Sequence, residues 1–142
     1  MKLRIAIATA LMAVATPALP DAEKLMDTGS CAGCDLSGVV MTGERFLSAD
    51  LTEADLSDSD FSSADFFLAT LDGARLDGAD FRDASLKAAS LIEASLIDTD
   101  FRGADLSGAR LRGADLTDAR LDGANLCNTV MPDGELSTGE CD

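Results

Sequence analysis

The sequence predicts an all-β solenoid, and three observations predict it. Every fifth residue from Leu36 to Leu136 is Leu, Phe or Met, a run of 21 positions without a slip. Two residues before these centres, from Ala49 to Ala124, Ala stands at 14 of 16 positions, with Ser59 and Thr99 as the exceptions. Asp, Ser and Gly fill most other places, and Asp often directly precedes the centre, as at Asp50, Asp60, Asp65 and Asp80.

A period of five suits neither regular element. On an α-helix each step of five turns the side chain by about 140°, so the apolar positions spiral around the axis. On a strand an odd step puts successive centres on opposite faces. Asp, Ser and Gly also lower both helix and strand propensity. A coil that turns a corner between centres removes the conflict. The centre and the residue two before it point inward, and the other three face water.

The triplets Ala49-Asp50-Leu51, Ala54-Asp55-Leu56, Ala104-Asp105-Leu106 and Ala114-Asp115-Leu116 resemble the Ala-Asp-Leu-x-x signature of the pentapeptide-repeat proteins. The resemblance covers about residues 34 to 131. It implies a right-handed quadrilateral β-helix with four repeats per coil. The centres then make about five coils, and at a strand spacing of roughly 4.8 Å a rod about 25 Å long. Small Ala lets the narrow core close around Leu and Phe. Neighbour-only contacts and capped ends follow for any solenoid.

In chain order, residues 1–18 read as a secretory signal peptide. Lys2 and Arg4 supply its positive region, Ile5 to Val14 its apolar stretch, and Ala15 or Ala18 the candidate cut. A buried N-terminal strand is the alternative reading. The stretch is too short to span a bilayer, and no other segment is apolar enough. No Cys sits at a lipidation position, so a soluble protein is expected, in a bacterial periplasm or outside the cell. Cleavage removes two positive charges and no acids, taking the side-chain net charge from −15 to about −17.

Residues 19–34 are expected to form an N-terminal cap. Asp21 to Asp27, with Leu25 and Met26, predict a short helix over the first coil, with Asp21 as N-cap and Gly29 as stop. Residues 35–126 form the β-helix. Residues 127–142 carry Pro132, Asp133-Gly134 and Gly139, which are turn signals. This tail, similar to tails on exported members of the family, is expected to fold as a loop over the open end. Such a cap disfavours dimers through that end, so a monomer is expected.

Export places the four Cys in an oxidising compartment. Four Cys allow three pairings. The coil count implied by the resemblance separates Cys31 and Cys34 from Cys127 and Cys141 far beyond the span of about 4.4–6.8 Å between bridged α-carbons. The expected bridges are therefore Cys31–Cys34 and Cys127–Cys141, with redox activity or free thiols as alternatives. A haem site would need His after Cys34, where Asp35 stands, and the chain has no His. Zinc would need all four Cys together, and a thioredoxin-like motif would need an alternating strand–helix fold.

With four repeats per coil, every fourth repeat shares a face. The face of Leu36, Leu56, Leu76, Leu96 and Leu116 carries Asp35, Asp55, Asp58, Asp77, Asp98, Asp115 and Asp118 against Arg75 alone. The face of Phe61, Phe81 and Phe101 mixes acids with Arg82, Arg102 and Arg120, close enough to offset one another across coils. On the face of Phe66 and Leu86, Leu47, Phe67 and Leu68 fall at outward positions, as do Ile92 and Ile97 on adjoining faces. The acids either bond nearby backbone at the corners, bind divalent cations weakly, or form an electrostatic docking surface. Leu47, Phe67 and Leu68 either pack under a loop or form a contact patch for an unknown protein partner.

An enzyme is not expected. The chain lacks His, Trp and Tyr and carries no nucleophile motif or Gly-rich phosphate loop, so no cofactor is expected either. The net charge of −15 repels phosphates and argues against direct nucleic-acid binding. The preferred reading is an exported, non-catalytic scaffold or binding module. The resemblance implies an alternative, a mimic of duplex DNA that binds type II topoisomerases, which requires a cytoplasmic pool.

Overall fold

A computed structural model describes residues 19–139 and residue 141. The expected signal peptide, residues 1–18, lies outside the described residues. Helix α1 spans Leu19–Thr28. Pro20 falls in its first turn, where a missing N–H leaves no hydrogen bond unmade. Gly29 ends it at φ 71°, donating its N–H to the Leu25 carbonyl at 2.8 Å. Ala22 and Leu25, three apart on one face, are fully buried against the first coil. The expected N-cap, Asp21, lies inside the first turn instead, because the helix already includes Leu19 and Pro20. Its carboxylate accepts the backbone N–H of Asp35 at 2.8 Å and so ties α1 to the first coil.

From Ser30 to Val130, each residue before a centre pairs in parallel with the residue twenty places on, as in Ser30 with Asp50, Asp55 with Arg75 and Arg110 with Val130. Four fives therefore complete one turn of the coil. Leu56 donates its N–H to the Arg75 carbonyl at 2.7 Å, and Arg75 donates its own to Ala54 at 2.9 Å. The ladder reaches beyond the expected 35–126 at both ends, because Cys31 fills a centre's place and Val130 still rests on Arg110.

Nearly every corner is closed by a bond back to the centre, as from the Ala54 N–H to the Leu51 carbonyl at 3.0 Å. The residue two after the centre takes a positive φ, as the third residue of a type II turn does. Gly suits this place, as at Gly78 (φ 72°), but Asp58 (φ 56°) and Leu68 (φ 61°) also occupy it.

The inward residues form a continuous core. Centres from Leu36 to Leu111 are buried, as is Ala at the second inward position from Ala49 to Ala114. The Phe81 ring lies between those of Phe61 and Phe101, with centroids 5.5 and 5.7 Å away, and Phe46 stacks on Phe66 at 4.9 Å. Ser59 and Thr99 replace Ala without leaving a hydroxyl stranded: Ser59 donates to the Leu56 carbonyl at 2.5 Å and Thr99 to Leu76 at 2.8 Å.

At the open end the tail forms a short hairpin on the free edge of the last coil, where a plain loop was expected. After Met131 it doubles back, pairing Val130 antiparallel with Leu136. Met131 donates to the Glu135 carbonyl and Ser137 to Thr129, both at 2.8 Å. A hairpin this short pairs with one side of the coil, so Leu116, Leu121, Leu126 and Met131 remain only partly buried.

Candidate functional site

Stacking at twenty-residue intervals places each outward residue in a vertical row. The acidic residues fall into three different rows with different bonding. Asp35, Asp55 and Asp115 directly precede a centre. Each accepts both the backbone N–H and the hydroxyl of the residue two places on: Ser37 at 3.0 and 2.6 Å, Ser57 at 2.9 and 2.6 Å, Thr117 at 3.0 and 2.5 Å. Hydroxyl first and backbone second, these bonds hold Asp35 and Asp115 below the ordinary aspartate value of 3.8.

Asp77 follows its centre and reaches along the rod. Oδ2 accepts from Arg75 Nε at 3.1 Å, while Oδ1 accepts the Ser95 hydroxyl at 2.6 Å and the Ile97 N–H at 3.1 Å in the next coil. Asp58, Asp98 and Asp118 stand exposed at left-handed corners, with Asp58 directly over Gly78. These carboxylates mostly serve corners of the backbone. Among the described residues, no three His, Cys, Asp or Glu side chains are placed to hold a metal ion, which leaves the divalent-cation alternative for these acids without a site.

On the Phe81 side the short ion pairs lie within a turn rather than across coils. Arg82 meets Asp80 at 2.7 Å and Arg102 meets Asp100 at 2.6 Å. The hydrogen bonds from the guanidinium groups hold both carboxyls below 3.8, against a smaller opposing push from desolvation.

Leu47, Phe67 and Leu68 are brought together. Leu47 and Phe67 share one row, joined by the bond from the Ser48 N–H to the Phe67 carbonyl at 2.9 Å. They are 45%, 40% and 49% exposed, and no described segment covers them. Ile92 and Ile97 are half-buried, and their N–H groups bond to Asp72 and Asp77. Asp72, which sequence reasoning did not single out, accepts the Ser90 hydroxyl at 2.5 Å as Asp77 accepts that of Ser95. The signal was there: Ser90 and Ser95 stand where Asp usually precedes a centre, and an Asp lies eighteen residues earlier in both cases.

The sulfur atoms of Cys31 and Cys34 lie 1.98 Å apart, and those of Cys127 and Cys141 lie 2.01 Å apart. Cys31 and Cys34 are buried, the first in a centre's place and the second in the place Ala takes elsewhere. Cys31 stands five before Leu36, so counting back one more repeat would have found its role.

Several solved structures are similar to the chain. A pentapeptide repeat protein from the Arabidopsis thaliana thylakoid lumen is 26% identical, covering 78% of this chain and 70% of that one, with a TM-score of 0.57. A pentapeptide repeat protein from the cyanobacterium Cyanothece is 26% identical over 80% of this chain and 98% of that one, with a TM-score of 0.39. One from the cyanobacterium Nostoc, involved in heterocyst differentiation regulation, is 28% identical over 76% and 66%, with a TM-score of 0.35. No curated protein matches the chain. The model of pentapeptide repeats, in eight copies, matches residues 30–66, 64–103 and 94–131. The chain belongs to the pentapeptide-repeat family, and its twenty-residue coil is that family's right-handed quadrilateral β-helix.

Proposed function

We propose that this protein is an exported, non-catalytic scaffold or binding module that meets a protein partner through the outer faces of its solenoid. The observation that carries the binding half is the uncovered cluster of Leu47, Phe67 and Leu68, since large apolar side chains grouped in water mark contact surfaces. In this reading the rod has about five coils, α1 seals its first coil and the hairpin tail stiffens its last. Export is supported by the signal-like residues 1–18, by two Cys pairs at bridging distance, and by the likeness to a protein of the thylakoid lumen. Both pairs are then disulfides in the mature protein, and Cys31–Cys34 is structural because both residues are buried.

The test is the intact mass of the protein from a periplasmic extract, with and without reductant. Loss of about 15 to 18 residues and a gain of about 4 Da on reduction support export and two bridges. Capture of a partner by the wild type and not by Phe67→Asp supports the binding face. A full-length, reduced chain in the cytoplasm overturns the reading. The net charge of −15 would then favour mimicry of duplex DNA, checked by inhibition of a type II topoisomerase.

A further inference from the structure

The cluster of Leu47, Phe67 and Leu68 sits where the charge of the rod changes. In the three coils that hold it, the Phe66 side carries Glu44 and Asp65 against Arg45 and Lys87, and is neutral. The adjoining Leu71 side holds Asp50, Glu53, Asp72 and Glu93 and no cation. The other neighbour, the Phe61 side, sets Asp60, Asp80 and Asp83 against Arg82. The apolar cluster thus lies on a side of zero net charge, with Lys87 next in its row, between two acidic borders.

Leu68 adds an independent argument from the backbone. Its φ of 61° lies in the left-handed region, which a bulky L-residue enters only at a conformational cost. The other positive-φ residues are Gly, Asp, Asn, Ser, Glu or Ala. The fold thus carries strain to hold a Leu in water beside Phe67, where Gly would sit without strain.

Resting on the binding-module reading above, the geometry points to one class of partner: a protein segment with an apolar middle and Lys or Arg at both ends. Its middle would cover Leu47, Phe67 and Leu68, and its ends would meet the acidic borders. This matches the usual division of an interface into an uncharged core and a polar rim. A second copy of this chain, an anionic membrane and a nucleic acid all carry negative charge and meet repulsion from a rod of net charge −15.

The experiment titrates the full chain against labelled peptides in salt of about 0.15 M, where charge effects fade beyond about 8 Å. One peptide has a Leu-Phe-Leu-Phe centre with two Lys at each end. A second replaces Lys by Glu, and a third keeps Lys but has a Ser-Gly-Ser-Gly centre. The first should bind about tenfold more tightly than either control, and Phe67→Ser should weaken it by about fivefold. Leu47→Ser replaces that variant if Phe67→Ser melts early.

Equal binding of the Lys and Glu peptides overturns the proposal, as does undiminished binding by a folded Phe67→Ser. Sedimentation as a dimer that this variant dissolves also overturns it, by assigning the strip to a second copy. Capture of a periplasmic partner lost in Phe67→Asp, without any preference among the peptides, leaves the binding module standing and removes this partner class.

Discussion

Asp77 does for Ser95, one coil away, what Asp55 does for Ser57 in its own turn. The Asp77 Oδ1 accepts the Ser95 hydroxyl at 2.6 Å and the Ile97 N–H at 3.1 Å, while Asp55 Oδ1 accepts the Ser57 hydroxyl at 2.6 Å and its N–H at 2.9 Å. The corner needs an acceptor for that N–H, and the acceptor can come from either coil. Asp77→Ala should therefore lower stability by about 1–2 kcal/mol, as loss of an acceptor for a partly buried donor does. Adding Ser95→Asp should restore most of it in chemical denaturation, because the new carboxylate stands where Asp55 stands in its turn. Absence of rescue would mean that Asp77 acts through Arg75 instead.

The left-handed corners give a pair of opposite expectations. Leu68→Gly should raise stability by about 0.5 kcal/mol, since relief of a left-handed penalty of about 1–2 kcal/mol outweighs the extra chain entropy of Gly and the little burial lost. Gly78→Ala should lower it by about 1–2 kcal/mol. A Cβ on Gly78 would stand 2.6 Å from Asp58 Oδ1, so Asp58→Ser should return part of that loss. Thermal melts of the three variants check both signs.

Phe81→Ala should cost about 3–5 kcal/mol, because the ring is fully buried between Phe61 and Phe101 and their neighbours cannot close the gap. Urea unfolding measures it.

Acid should weaken the rod through Asp80 and Asp100. The hydrogen bonds from Arg82 and Arg102 depress both carboxyl pKa values below 3.8 in the folded chain. A depressed carboxyl contributes stability above its unfolded pKa and loses it as pH falls through the folded one. The melting temperature should thus hold above about pH 5 and fall below about pH 4. Arg82→Gln with Arg102→Gln should flatten that fall, since the two carboxyls then titrate nearer their unfolded value. An equally steep fall in the double variant would assign it to other groups.

The core was legible because its positions carry one requirement each. Leu, Phe and Met must fill the centre, and Ala must fit beside it, so the fivefold run from Leu36 points straight to the inward row. The outward rows were legible as geography: Leu47 and Phe67 do share a row, and the acids do sit where counting by twenties puts them. Their chemistry was hidden, because Asp35, Asp58 and Asp77 look alike in sequence but differ in corner position and so in partner. The form of the tail was hidden for a different reason. Pro132 and Asp133-Gly134 announce a turn, but not whether the chain leaves it across the open end or back along one side.

Pairing at a fixed distance of twenty residues also decides which changes of length the surface can survive. Loss of a single five, such as residues 52–56, removes one centre and leaves the remaining core sequence as it was. Downstream of the cut, however, every side rotates by a quarter turn against the coil beneath. Phe67 would then lie over Thr42, and Asp72 over Leu47, so the apolar strip would vanish without one substitution in it. Only insertions or deletions of a whole coil keep such a surface intact, so the repeat that builds the core is four times shorter than the unit by which a binding side can be lengthened.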